Sequence, residues 1–404
     1  MISDKQIFQT SSRWRWNTFK WASRFVLFLL LLIIPVVWLA LANDRNPILP
    51  GLSPVNDSLK HQTISKGFSK KERRKYHGFS DFLKVKQQNF LLAQADKSRK
   101  MTSSIRAAFF VDWDPQALYS LQSHINEVNM VMPEWFFIDP ATDTLQVKNI
   151  ESDESFKLLK KHPGIKVVPM LSNVNISSHD GTFDGALLTA VLNNPAKRKR
   201  LIDDIERILV KDTLQGINID FEEIQEKSIA GLHQFQQELY ARLHPRSLLV
   251  TQDIMPNDED FHLKELSNCN DYIFLMAYDQ HYSTSDPGPV SDQKWVEKTL
   301  DEVARDVPSE KIVLCIAGYG YDWADGRSAE TITYPQAMST AKEFNATIDF
   351  DNDSYNCTYQ YTDYKQVHHV AYFMDAAGNY NSIRFADEYG TAGVALWRLG
   401  AEDE

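Results

Sequence analysis

The sequence predicts an α/β protein in which eight parallel strands close into a (β/α)8 barrel. Eight short apolar runs follow one another between residues 105 and 397. Segments with apolar residues at helical spacing, such as NPAKRKRLIDDIERILVKD, separate most of these runs. Nearly continuous apolar runs are typical of parallel strands buried on both faces, and eight of them alternating with helices predict a closed TIM barrel.

The eight apolar runs give eight predicted strands. The first four are IRAAFFVDW (105–113), NMVMPEWFFI (129–138), IKVVPMLS (165–172) and LQGINIDF (214–221). The other four are SLLVTQDIM (247–255), DYIFLMAYD (271–279), KIVLCIAGY (311–319) and AGVALW (392–397). Together they span about 300 residues, which exceeds the usual barrel of about 250.

The excess length lies between the seventh and eighth strands. There IDFDNDSYNCTYQYTD (348–363) alternates aromatic and polar residues, and HHVAYF (368–373) follows it. This alternation predicts a small α+β insertion at about residues 328–384, built on antiparallel strands. Within it, DFDND alternates carboxylates as a calcium loop does, but Ser354 and Gln360 stand where such a loop needs Gly and Glu. A hairpin turn is therefore predicted.

No cofactor, metal or nucleotide site is predicted. His368 and His369 are adjacent, so on a strand they would face opposite ways and could not easily share a metal ion. The cysteines are too few and too scattered for a disulfide framework. We interpret them as buried thiols, with one disulfide left open as the alternative. They are Cys269, Cys315 and Cys357.

The N-terminus predicts a membrane anchor. FVLFLLLLIIPVVWLALA (25–42) is an uncharged apolar run that reaches the lower length limit for a bilayer span. The basic residues before it should remain cytoplasmic, which places everything after residue 43 in the periplasm or outside the cell. A cleaved signal peptide is the alternative, because ALA at 40–42 resembles a small-residue cleavage site. On either reading the domain is exported.

The chain is expected to have four parts. Residues 1–24 form a cytoplasmic basic tail, 25–42 the transmembrane signal anchor and 43–103 a linker. The linker has several prolines and the basic run KKERRK, which is typical of a solvated spacer. Residues 104–404 form the barrel.

Charge is unevenly distributed along the chain. Residues 1–100 hold 18 Lys and Arg against 6 Asp and Glu, whereas the other 304 residues hold 25 against 48. So acidic a domain is a poor candidate for binding nucleic acid, and no nucleic acid partner is predicted. A neutral or cationic polymer is a more natural partner.

The stretch LQGINIDFEEI (214–224) carries polar residues at every second position. Asn218, Asp220 and Glu222 therefore share one face of the strand. Active sites of such barrels lie at the carboxyl ends of the strands, so Asp220 and Glu222 would project into the mouth. Two carboxyls this close disfavour each other's ionised form, and one should keep a proton near neutral pH. A protonated acid beside a carboxylate suits the cleavage of a glycosidic bond; an ion pair at the barrel mouth is the structural alternative.

LQGINIDFE resembles the DxxDxDxE signature of family 18 glycoside hydrolases, chitinase-like enzymes with the TIM barrel fold. Three further stretches resemble the same family over residues 104–404: LMAYDQHYSTSDPGP its MxYD strand end, CIAGYGYDW its seventh strand and GVALWRLG its eighth. Within the family, GINIDFE and YDQHYSTSDPGP most resemble the branch of spore-cortex-lytic, YaaH-like enzymes. They also resemble exported domains fused to polysaccharide deacetylase and glycosyltransferase modules.

This resemblance implies retaining, substrate-assisted hydrolysis of an N-acetylglucosamine-containing polysaccharide, such as a chitin-like chain, peptidoglycan or an exopolysaccharide. Glu222 would act as general acid and then as base. Asp220 would orient the N-acetyl group, whose carbonyl attacks the anomeric carbon, and Tyr278 would donate a hydrogen bond to that group. The residues implied for substrate binding are Asn218, Asp279 and Trp397, with Trp397 stacked under the sugar.

Two positions depart from the signature. Gln215 replaces its first Asp and Asn218 its second, which removes a charge that would help to hold a proton on Asp220. These substitutions support an alternative function, a non-catalytic carbohydrate-binding barrel that serves neighbouring modules. The presence of Glu222 and Tyr278 favours the enzyme, because a binding module needs no proton donor.

Two questions stay open at this point. Aromatic residues at other strand ends, Trp113, Trp135 and Tyr319, could line the cleft or fill the barrel. The chain also ends directly after the eighth run, where a barrel usually carries an eighth helix. That ending is consistent with a fragment of a longer polypeptide, to which deacetylase or glycosyltransferase modules would add as C-terminal partners.

Overall fold

The computed structural model describes residues 104–176, 182–256 and 261–403, together with Trp21 and Arg24. Within these ranges the strands are β1 (Ile105–Phe110), β2 (Met130–Asp139), β3 (Thr144–Val147), β4 (Lys166–Val167), β5 (Met170–Ser172), β6 (Gly216–Asp220), β7 (Leu249–Ile254), β8 (Tyr272–Met276), β9 (Ile312–Ala317), β10 (Tyr319–Ala324), β11 (Glu330–Thr333), β12 (Asp349–Asp351), β13 (Asn356–Thr362), β14 (His368–Phe373) and β15 (Gly393–Trp397). The α-helices are α1 (Pro115–Ser123), α2 (Glu154–Lys160), α3 (Gly185–Leu192), α4 (Pro195–Asp212), α5 (Ile229–Leu243), α6 (Leu263–Asn268), α7 (Gln293–Val303), α8 (Tyr334–Glu343) and α9 (Ala376–Tyr389).

Eight parallel strands form a closed barrel, as the sequence predicts. β1 pairs in parallel with both β2 and β15, and this double pairing closes the ring. The third strand is split into β4 and β5 around Pro169, which has no N–H to give to the ladder. The other barrel strands are β6, β7, β8 and β9. Each of the eight predicted apolar runs therefore contains a barrel strand, and the predicted fold class is confirmed.

Polar side chains enter the barrel interior on two neighbouring strands. Most of the interior is apolar, with Phe109, Met132 and Phe274 among the side chains that fill it. On β6 and β7, however, Asn218, Asp220, Thr251 and Asp253 are buried. The alternate residues of β6 pack outward with the apolar faces of α4 and α5. The pleat of β6 thus separates a structural face from a polar face that leads to the barrel mouth.

The insertion is a five-stranded antiparallel sheet with the order β11-β10-β14-β13-β12. It runs from Tyr319 to Phe373, whereas the sequence predicts about 328–384. The start differs because β10 begins two residues after β9 ends, within one apolar run and without a turn signal. The end differs because α9 packs on the barrel strand β9 and belongs to the barrel. The DFDND stretch leads into the turn between β12 and β13, which confirms the predicted hairpin.

The three cysteines are free and buried, as predicted. No helix in the described ranges has both the length and the apolar composition needed to cross a bilayer. The predicted anchor at 25–42 and the predicted linker at 43–103 lie outside the described residues.

Candidate active site

A cavity of about 610 Å³ opens at the carboxyl ends of the barrel strands. A second cavity of about 830 Å³ adjoins it, and the two share Trp113, Asp279 and Trp397 in their linings. Five of the six predicted site residues line the smaller cavity: Asp220, Glu222, Tyr278, Asp279 and Trp397. The described residues contain no group of three or more His, Cys, Asp or Glu arranged to hold a metal ion.

Asp220 is the last residue of β6 and is buried. Burial raises its pKa well above the ordinary value, and the charges of Asp253 and Glu134 raise it further. A hydrogen bond from Ser172, at the same level of the neighbouring strand, partly opposes this rise. Asp220 therefore keeps a proton at a pH where an exposed aspartate would be ionised.

Glu222 is held at the cavity by the side chain of Asn173. The Nδ2 of Asn173 donates to the backbone carbonyl of Glu222 at 2.9 Å, and the backbone N–H of Glu222 donates to Oδ1 of Asn173 at 3.0 Å. Glu223, the next residue, has φ of 55°, which turns the chain away from the strand. Asn173 is fully buried just after β5, so the third barrel strand fixes the turn that carries Glu222.

Asn218 lies beneath the cavity floor rather than in its lining. Its Nδ2 donates to Oδ2 of Asp253 at 2.6 Å, and its Oδ1 accepts from Oγ1 of Thr251 at 2.6 Å. Burial raises the pKa of Asp253, the hydrogen bond from Asn218 lowers it, and the charge of Glu222 raises it. Asn218, which stands where the family signature has its second Asp, is thus hydrogen-bonded to a carboxyl on the next strand. Direct contact between Asn218 and a substrate stays a prediction.

Tyr278 and Asp279 follow β8. Burial raises the pKa of Tyr278 well above its usual value, so its hydroxyl is a neutral hydrogen-bond donor at physiological pH. Asp279 has φ of 58°, a left-handed conformation that Asp tolerates better than most residues. Its Oδ1 accepts hydrogen bonds from the hydroxyls of Tyr319 and, at 2.9 Å, Tyr321. Burial raises the pKa of Asp279, and these two donors lower it.

Two of the three aromatic residues left open by the sequence line the cleft. Trp113 is 58% exposed, and its Nε1 donates to Glu134 at 3.1 Å. Tyr319 lines the larger cavity. Trp135 is instead buried against Phe156, outside the ring of strands. The cleft aromatics therefore come from the first strand and the insertion.

Trp397, the last residue of β15, stands at the junction of the two cavities. Its ring packs edge-on against Phe109, with the ring centroids 5.2 Å apart. Phe109 belongs to the apolar barrel interior, so its contact fixes the position of the Trp397 ring. The tryptophan is half-buried, and part of its surface lines both cavities.

Three residues of the site are missing from the sequence prediction: Glu134, Asn173 and Asp253. Glu134 and Asp253 each interrupt an apolar strand run, which is the same signal that identified Asp220. Asn173 lies just after a strand run and does not interrupt it, so the sequence pattern does not point to it. Gln215, by contrast, lies at the opposite end of β6, where its Oε1 accepts from the backbone N–H of Val167 at 2.7 Å. It contributes nothing to the cavity lining.

The sequence comparisons agree with this geometry. The model of glycosyl hydrolases family 18 matches residues 71–402. The chain belongs to family 18. It is accordingly a glycoside hydrolase, and the match covers the barrel, the insertion and part of the predicted linker.

Individual family 18 relatives are more distant. The chain is 27% identical over 280 residues to an uncharacterised glycosylase, YvbX, of Bacillus subtilis, a match that covers 65% of this chain and 81% of that protein. It is 24% identical over 274 residues to the cortical fragment-lytic enzyme of the same organism, covering 61% of this chain and 64% of the relative. A crystal structure of a chitinase from Chromobacterium violaceum superposes with a TM-score of 0.68 at 21% identity, over 75% of this chain and 96% of that one.

Proposed function

We propose that the chain hydrolyses glycosidic bonds in an N-acetylglucosamine-containing polysaccharide, with retention of configuration and with the substrate's own acetamido group as nucleophile. The observation that carries the proposal is the convergence of three groups on one cavity. A buried carboxyl that keeps its proton (Asp220), a neutral phenol (Tyr278) and a half-buried glutamate (Glu222) all line it. The reaction needs a group that binds the acetamido N–H, a donor to the acetamido oxygen and a proton donor to the departing oxygen. These are the proposed parts of Asp220, Tyr278 and Glu222, in that order.

The proposed reaction has two steps. In the first, the acetamido carbonyl oxygen attacks C1 while the bond from C1 to the glycosidic oxygen breaks, and Glu222 gives its proton to the departing oxygen. Asp220 binds the acetamido N–H, and the hydroxyl of Tyr278 donates to the acetamido oxygen. In the second step a water molecule attacks C1 and gives a proton to Glu222, while the bond from C1 to the acetamido oxygen breaks. Two inversions at C1 leave the original configuration.

The remaining residues bind the sugar. Trp397 is proposed to stack under the sugar whose bond is cleaved, because its ring lies where the two cavities meet. Asp279 is proposed to hydrogen-bond the same sugar through its second oxygen. Asn218 is assigned an indirect part, since it is fully buried and hydrogen-bonded to Asp253.

The charge of the cleft favours an uncharged polymer over a polyanion. Of the cationic side chains in the two linings, Lys148 pairs with Asp112 at 2.6 Å and Arg398 pairs with Asp114. The carboxyl side chains outnumber them, so an anionic chain would be repelled. The lining carboxyls are Asp112, Asp114, Glu134, Asp220, Glu222, Asp253, Asp279 and Glu402.

We also propose that the barrel acts outside the cytoplasmic membrane, tethered by residues 25–42. The apolar run and the basic residues before it support this placement. Protease added to intact spheroplasts should digest the barrel and spare a cytoplasmic control protein. Protection of the barrel would contradict the placement.

The reaction can be tested with the full chain on β-1,4-linked and β-1,6-linked N-acetylglucosamine oligomers and on peptidoglycan, with mass spectrometry of the products. Shortened oligomers from at least one substrate are expected, and proton NMR of the first products should show the β anomer. Glu222→Gln should abolish cleavage and keep binding. Glu223→Gln is the matched control, since this exposed neighbour lies outside both cavity linings. Binding without cleavage by the unmodified chain would favour the carbohydrate-binding barrel.

A further inference from the structure

Asp220 and Asp253 lie side by side on neighbouring barrel strands. The parallel register pairs Asn218 with Thr251 and Ile219 with Gln252, so the next position along brings Asp220 level with Asp253. Both residues line the cavity, so both side chains point inward. Their two carboxyls therefore share one level of the barrel mouth.

Asp253 is an unusual residue for a barrel interior. It is 2% exposed, and Oδ2 accepts the short hydrogen bond from Asn218. Its Oδ1 is buried and has no hydrogen-bond partner among the described residues. A buried carboxylate oxygen without a donor costs more free energy than a protonated one, so this oxygen is the natural place for a proton.

We propose that Asp253 is a positioning residue for the reaction and that it forms, with Asp220, a carboxyl pair that holds one proton between them. Asn218 can hydrogen-bond Asp253 but cannot titrate, so the second carboxyl of the pair is supplied by β7. This inference rests on the proposed part of Asp220 in the reaction.

The pair gives Asp220 two states without exchanging a proton with solvent. In the free enzyme the two carboxyls share the proton. When a substrate acetamido N–H enters, Asp220 must accept a hydrogen bond as a carboxylate. The proton then passes to Oδ1 of Asp253, and the charge of the pair is unchanged. When the product leaves, the proton returns.

The groups that face the pair bear on its titration. Glu134 faces it from β2, Glu222 from the turn after β6, and Cys315 from β9. Tyr278 faces it from the end of β8. All four are acids, so when ionised they add negative charge and favour retention of the shared proton.

The test compares the pH profiles of kcat/KM for the full chain and its Asp253→Asn variant. Without Asp253 to take the shared proton, Asp220 can act as a carboxylate only after it loses that proton to solvent, so the acid limb should move up by roughly one pH unit. The value of kcat should fall at least about ten-fold while KM changes little, because the pair acts in the reaction rather than in sugar binding. The double variant Asn218→Asp with Asp253→Asn moves the carboxyl from β7 to β6, and it should restore the limb.

Thr251→Val is the matched control, because it removes the other hydrogen bond to Asn218 and keeps both carboxyls. It should leave the acid limb in place, whatever it does to the rate. An unchanged limb in Asp253→Asn, or an equal shift in Thr251→Val, would overturn the proposal.

A second readout does not require activity. Asp220 and Asp253 bind protons more tightly in the folded than in the unfolded chain. The folded protein therefore loses stability as pH rises from about 4 through their raised pKa values. Asp253→Asn should therefore gain thermal stability relative to the unmodified chain between pH 4 and pH 8. If the unmodified chain cleaves nothing, the proposed function fails while this measurement still tests the pair. An equal pH dependence in both proteins would contradict the pair itself.

Discussion

Both polar atoms of the Asn173 side chain hydrogen-bond the backbone of Glu222, at 2.9 Å and 3.0 Å. The β6 ladder ends at Asp220, so Glu222 lies beyond the regular strand pairing. The side-chain amide of Asn173, just after the third barrel strand, supplies the hydrogen bonds that the strand ladder no longer provides at Glu222. The position of the proposed proton donor is therefore set by a side chain 49 residues earlier in the chain.

Replacing Asn173 with Ala should lower kcat about ten-fold to a hundred-fold and change KM little. The variant keeps the Glu222 carboxyl but releases the backbone that positions it, and a displacement of about 1 Å can cost a hundred-fold in rate. Steady-state kinetics on the oligomer that is cleaved best would measure both constants. Asn193→Ala is the matched control, since its Nδ2 also donates to a backbone carbonyl, that of Lys227 at 2.9 Å, outside the cleft. Equal kcat values for the two variants would argue against the positioning of Glu222 by Asn173.

The double variant Tyr319→Phe, Tyr321→Phe should shift the acid limb of kcat/KM to higher pH. The two hydroxyls lower the pKa of Asp279, and without them burial raises it unopposed. A carboxylate needed for sugar binding would then form only at higher pH. Tyr361→Phe is the control in the same insertion, because its hydroxyl donates to Asp322 at 2.6 Å. A shift of the limb to lower pH in the double variant would contradict the proposed part of Asp279.

Trp397→Ala should weaken oligosaccharide binding about ten-fold or more, equivalent to roughly 1.4 kcal/mol. The variant removes the aromatic face at the junction of the two cavities, and Trp397→Phe should keep part of the affinity. Titration calorimetry in the Glu222→Gln background separates binding from cleavage. Trp135→Phe, which changes a tryptophan buried outside the strand ring, should alter stability and leave affinity unchanged.

Glu134→Gln should raise the thermal midpoint more at pH 8 than at pH 4. Burial raises the pKa of Glu134, so the folded state favours the protonated form and loses stability as pH rises through that pKa. A neutral isostere removes this loss. Glu151→Gln should behave in the opposite sense, because a hydrogen bond from Lys211 lowers the pKa of exposed Glu151. Parallel unfolding curves at the two pH values test both signs, and a larger gain for Glu134→Gln at pH 4 would refute the first.

The barrel could be predicted from the sequence because its strands are buried on both faces. Such strands must be apolar along their whole length, and this leaves a signal in eight separate runs. Asp220 and Glu222 were predicted for the opposite reason, since a carboxyl in a buried strand needs an explanation. Asp253 and Glu134 break their runs in the same way, but neither has a second carboxyl at strand spacing: Asp253 has Thr251 there and Glu134 has only apolar neighbours.

Other parts of the site depend on long-range contacts that leave no local pattern. Asn173 is a single amide after a strand, and nothing in MLSNVN shows that it meets Glu222. Tyr321 belongs to an aromatic run that continues directly from β9, so the sequence assigns it to the end of a barrel strand. Only the antiparallel pairing of β10 with β11 and β14 brings its hydroxyl to Asp279.

The two tyrosine hydroxyls that hold Asp279 both come from β10, a strand of the inserted sheet. An engineer who trims this protein to a bare eight-stranded scaffold would delete them together with the sheet. The shortened barrel would keep Asp220, Glu222 and Tyr278 but would leave Asp279 without its donors. We therefore expect the inserted sheet to contribute to the enzyme's chemistry and the smallest functional unit of the chain to be larger than its barrel.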